Sequence, residues 1–158
     1  MKRILRVAAS ILFLSSLASG KENPGTASRF DHAEYMQATA TGQKKAVPAV
    51  KGTLSFDKEK NTVDFLDHAG APAFSIRYDA IKSLLYENTS KPRYAEAVLI
   101  SPLFLLSHSK QHFLTIQYTG ADGSGQFVIV HLDKKNAREA VATAEAQTGK
   151  KVEEVEEK

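Results

Sequence analysis

The sequence predicts a mostly β domain finished by a single C-terminal α-helix. Between Val50 and Leu132, apolar residues recur at alternate positions in short runs, the period of strands that bury one face. Gly, Pro, Asn and Asp separate these runs, as reversals between antiparallel strands require. After Asp133 the apolar period lengthens to that of a helix.

The chain opens differently. Lys2, Arg3 and Arg6 precede an apolar run, Val7 to Leu17, and Ala18-Ser19-Gly20 supplies the small residues that signal peptidase requires. Residues 1–20 are therefore expected to be a secretory signal peptide, too short for a comfortable membrane span. Residues 21–45, rich in Gly, Ala, Ser, Thr and Gln, read as a flexible leader, with a short helix conceivable near Arg29 to Gln37.

The domain is expected over residues 46–149. Leu54 and Phe56 share one face of a first strand, and Val63 and Phe65 answer them across the polar reversal Asp57 to Asn61. Phe74, Ile76 and Tyr78 mark a third strand, Asp79-Ala80-Ile81 a kink, and Ser83 to Glu87 a fourth strand. Ala97 to Leu106 is almost wholly apolar but is split by Pro102, which lacks the amide that a central strand needs. Its first part is a fifth strand; Leu103 to Ser107 is either a strand or one helical turn. His112 to Tyr118 and Gln126 to Leu132 complete the set around the turn Gly120 to Gly125, the last apolar enough for burial on both faces. About seven strands result.

Ala137, Ala140, Val141 and Ala144 form the buried stripe of the helix, Asn136 with Glu139 approximates a capping box, and Gly149 ends it. Residues 150–158 are a charged tail, frayed or continuing helically through Val152 and Val155.

Composition narrows the function. The formal charge of +3 comes entirely from the three cations of residues 1–20, so the exported chain is neutral, and no basic stripe with interleaved aromatics points to nucleic acid. Without cysteine there is no disulfide, thiolate metal site or cysteine nucleophile. An exported chain lacking cysteine fits a bacterial periplasmic or secreted protein better than a eukaryotic one.

Three stretches resemble the small PH/GRAM-type domains of bacteria, members of the pleckstrin-homology-like superfold: Phe74 to Ile81, His112 to Tyr118, and Leu132 to Asn136 leading into the helix. The resemblance runs over roughly Val50 to Gly149. It implies a strongly bent antiparallel sheet, a partly open barrel, capped by the helix, and a function in binding lipid headgroups, peptides or protein surfaces. In the phosphoinositide-binding branch, basic residues on the loop between the first two strands clasp phosphates. Here the matching loop holds Lys58 and Lys60 beside Asp57 and Glu59, which argues against that ligand.

Catalytic patterns are missing: there is no Gly-x-Ser-x-Gly elbow, no His-Glu-x-x-His and no phosphate-cradling glycine loop. His108 and His112 bracket a turn, but two imidazoles without a nearby acid or thiol are too few for structural zinc. His68 and His131 read as turn, surface or structural residues, and Asp64, Asp67 and Asp79 as solvated acids. No catalytic residue, metal or cofactor is expected.

The least ordinary feature is Leu103-Phe104-Leu105-Leu106, because four large apolar side chains in a row cannot all face inward from one strand. Either the segment folds across a barrel opening, or it projects as an apolar tip with Lys91, Arg93 and Lys110 around it, placed to meet anionic headgroups or a partner protein. The expectation is an exported, non-enzymatic binding module for a protein or peptide, with a membrane surface or small apolar ligand as the alternative.

Overall fold

The computed structural model describes residues 27–37, 47–94 and 109–156. They form one mixed sheet of eight strands with one α-helix. The strands are β1 (Ala27–Met36), β2 (Val50–Asp57), β3 (Thr62–Asp67), β4 (Pro72–Arg77), β5 (Ile81–Thr89), β6 (Gln111–Thr119), β7 (Gly125–Leu132) and β8 (Val152–Glu156). The helix, α1, spans Ala137–Thr148 and precedes β8.

The order across the sheet is β4-β3-β2-β1-β7-β6-β5-β8. Neighbours pair antiparallel except β5 and β8, which run parallel. Among the described residues the sheet does not close into a barrel: β4 and β8 stand at its two ends. This mostly β layout with one helix after β7 is the one expected from the alternation.

Six of the predicted strands are present, and the kink after the third is a 3-10 turn over Tyr78–Ala80. The predicted strand Ala97 to Ser101 lies outside the described residues, as do residues 1–20. Two strands were not foreseen. Ala27–Met36, expected as leader or short helix, is a ten-residue strand. Its alternation is broken by a bulge between Phe30 and Ala33, where His32 takes a left-handed φ of 58°. The bulge leaves Phe30 and Ala33, both in the main core, three apart, and Met36, buried on the other side of the sheet, extends a spacing that imitates a helix. Likewise Val152–Glu156, expected to fray or to extend the helix, pairs with β5 as an added strand.

Alternation sends Leu54, Phe56, Val63, Phe65 and Ile76 to the inner face of β2–β4, where they meet Leu84, Leu114, Ile116, Val128 and Val130 from β5–β7. Over this core lies α1, with Ala137, Ala140, Val141 and Ala144 all buried. Small side chains let the helix backbone approach the sheet closely. A second cluster, Met36, Phe113 and Ile129, lies on the other side of the central strands, so β7 is buried on both faces as its continuous apolar run required.

The helix ends confirm one expectation and correct another. Gly149 has a φ of 67° and its amide donates to the Glu145 carbonyl at 3.0 Å, the left-handed stop. The capping box does not form: Asn136 makes no side-chain cap, and its amide Nδ2 instead donates to the Asp31 carbonyl at 3.0 Å. That bond ties the start of α1 to the bulge in β1. At the other end, the Tyr78 hydroxyl donates to Gln147 Oε1 at 2.9 Å, and Gln147 Nε2 donates to Ser28 Oγ at 3.1 Å.

Candidate binding surface

The pairing registers place Arg29, Ser55, Asp64 and Ser75 side by side across β1, β2, β3 and β4. All four lie opposite the core-facing positions of their strands, so they form a transverse polar row on the solvent side. Around the row lies a concavity of about 340 Å³, which Asp57, Lys60 and Thr62 also border.

Side chains in the concavity hold one another. Thr62 Oγ1 donates to Asp64 Oδ2 at 2.9 Å, and the Ser75 hydroxyl donates to Asp64 Oδ1. Asp57 Oδ1 accepts the amides of Lys60 at 2.9 Å and Glu59 at 3.0 Å, and Lys60 Nζ lies 3.4 Å from its Oδ2. The Lys60 amide is the main reason that the Asp57 carboxyl is held below the usual carboxylate range. Below the sheet, burial pushes the Tyr78 phenol up to about 12, with Asp57 and Asp64 adding to the effect, so it remains a neutral donor.

Asp64, read from the sequence as a solvated acid, does lie on the solvent face, and there it borders this concavity. Beside the row, β4 ends the sheet. Pro72, Ala73 and Ser75 are exposed, and no described strand covers the outer edge of β4. An extended segment laid there would extend the sheet, with Ser75 and Asp64 within its side-chain reach.

The residues singled out from the sequence fall on the connection between β5 and β6. Leu103, Phe104, Leu105 and Leu106 lie outside the described residues. Thr89 pairs with Gln111 at the last rung of the β5–β6 ladder, which sets exposed Lys91 and Lys110 on the two stems of the connection. Arg93 has a different setting. Its amide donates to the buried Glu87 carboxylate at 3.0 Å, and its guanidinium lies 3.4 Å from Glu153 on β8 and 3.9 Å from Glu87. It therefore links the connection to β5 and β8.

The histidines divide in the same way. His108 lies outside the described residues. His112 Nδ1 is 2.6 Å from the Tyr86 hydroxyl and its ring stacks on that phenol, while His68 sits exposed in a turn. His131 packs against Phe113, with Nδ1 3.8 Å from Glu34. Burial lowers the pKa of both His112 and His131. Among the described residues no three His, Cys, Asp or Glu side chains gather to hold a metal ion.

Lys58 and Lys60 lie in the turn between β2 and β3, the second and third of the described strands.

No protein-family model matches the chain, and no curated protein matches it. Among solved structures it is similar to a chain of the Spt16D–Pob3N heterodimer. The sequences are 11% identical, the TM-score is 0.49, and the match covers 84% of this chain but 56% of the other. The chain thus spans little more than half the length of that neighbour.

Proposed function

We propose that the chain is an exported, non-enzymatic binding module that takes an extended segment of a protein or peptide partner as an added strand on β4. One observation carries the reading: the polar row from Arg29 through Ser55 and Asp64 ends in Ser75, on a strand whose outer edge no described strand covers. Backbone pairing at such an edge supplies affinity, and the side chains beside it supply selection. Export rests on the cationic and apolar pattern of residues 1–20.

Edge lysines are an effective block to strand addition, so the test is a full chain carrying Ala73→Lys and Ser75→Lys, both at exposed positions. A partner retained from an envelope extract by the wild type and lost by this folded variant supports the reading. Equal retention by both overturns docking on β4. The mass of the secreted product reads the export step, which predicts removal of residues 1–20.

A second reading, attachment to an anionic membrane surface through Leu103 to Leu106, is favoured by the position of Lys91 and Lys110 on the two stems of that connection.

A further inference from the structure

The opposite end of the sheet is occupied by the chain itself. There β8 pairs with β5 in parallel, the weaker of the two ladder geometries. Of its five side chains Val152 is buried and Val155 half-buried, while Glu153, Glu154 and Glu156 face solvent. One fully buried anchor is little to hold a strand in place.

The edge beneath it is of another character. Over its paired positions β5 presents Leu84, Leu85 and Tyr86, each no more than 6% exposed, followed by buried Glu87 and half-buried Asn88. A sheet edge of this kind accepts an extended segment readily when uncovered. A cation borders the track. The Arg93 guanidinium lies 3.4 Å from Glu153 and 3.9 Å from Glu87 of β5 itself. Arg93 thus offers a partner to a glutamate of the segment laid on the track, as it does to Glu153 of β8, a strand rich in glutamate.

We propose that β8 is a displaceable plug on a docking track, and that the extended acidic segment of a partner protein exchanges with it on β5 beside Arg93. The track selects a small β-branched anchor at the Val152 position and carboxylates at the solvent-facing ones. Binding is held back in the resting chain because the site is open only in the fraction of molecules whose β8 has lifted. This inference is independent of docking on β4, which uses the other end of the sheet.

The experiment measures fluorescence anisotropy of a labelled peptide with the sequence of residues 150–156, titrated with the full chain. Val152→Asp removes the anchor of the resident strand and should tighten binding of the free peptide by about tenfold or more, the factor by which a mostly closed site weakens its ligand. In that background Arg93→Gln should weaken binding severalfold, and a peptide with lysine in place of every glutamate should not bind. Equal affinities for wild type and a folded Val152→Asp variant would overturn the proposal, as would equal binding of the lysine peptide.

Hydrogen exchange of the wild type gives a second measurement that needs no variant. Amides of β8 should exchange much faster than those shared by β6 and β7. Protection of β8 as deep as that of the β6–β7 ladder would show a strand that does not lift, and the plug would be refuted.

Discussion

Glu34 and His131 face each other across the β1–β7 ladder, with His131 Nδ1 3.8 Å from the Glu34 carboxylate. This ladder has three residue pairs and joins the β1–β4 half of the sheet to the β5–β7 half. Lys51 also reaches Glu34, at 3.7 Å, and His112 and Asp133 contribute to the field at His131.

Burial is the main cause that depresses His131, and Glu34 offsets it in part. The folded value therefore lies below the ordinary imidazole value of about 6.5, so over the interval between the two the unfolded chain binds a proton that the folded chain does not. Stability is full above that ordinary value and falls as pH drops through it. His112 is depressed for the same leading reason and adds to the fall. Urea midpoints should thus decrease between about pH 7.5 and pH 5, and His131→Gln should flatten the slope. Identical slopes for variant and wild type would remove His131 from the account.

The alanine stripe of α1 makes a second prediction. Ala140 and Ala144 have no exposed surface, while Ala142 on the same helix faces solvent. Leucine at Ala140 or Ala144 must push the helix off the sheet, at about 1–3 kcal/mol. Leucine at Ala142 should stay within about 0.5 kcal/mol of wild type. Chemical denaturation of the three variants checks the contrast, and equal midpoints would mean that the helix does not lie against the core.

These residues also show how much of the molecule can be read without coordinates. The stripe, Gly149, the kink after Arg77 and the alternation of β2 to β7 are local patterns, and local patterns survive in a linear sequence. β1 was hidden because the bulge at Asp31 and His32 shifts its phase. β8 was hidden because Val152 and Val155, separated by two glutamates, suit a helix as well as a strand. The concavity was hidden for a further reason. Alternation alone sends Ser55, Asp64 and Ser75 outward, but only the pairing register sets them in one row with Arg29.

The segment Leu103 to Leu106 yields a third prediction. If it meets anionic lipid, Phe104→Ser with Leu105→Ser should reduce co-sedimentation with phosphatidylglycerol vesicles severalfold, since each buried large apolar side chain contributes about 1.5–3 kcal/mol. Lys91→Glu with Lys110→Glu should reduce it further at low salt. Equal pelleting of folded wild type and serine variant would eliminate the membrane reading and leave docking on β4 untouched.

Gly52 is a position where the packing of the sheet itself can be probed. It is buried in β2, opposite Asp67 on β3 and Ala33 on β1. A Cβ there would lie 1.9 Å from the Leu66 carbonyl oxygen and 2.8 Å from Phe65 Cε1. The first obstacle is backbone, so no rotamer change relieves it, and the second is a ring with no exposed surface. Gly52→Ala should therefore separate β2 from β3 locally and cost about 1–3 kcal/mol, the range for overpacking. Alanine at Gly125, where an added Cβ meets nothing within 4 Å, serves as the control and should unfold at close to the wild-type midpoint. A Gly52→Ala chain as stable as that control would mean that β3 does not press on β2 at this point, and the register that builds the Arg29 to Ser75 row would have to be redrawn.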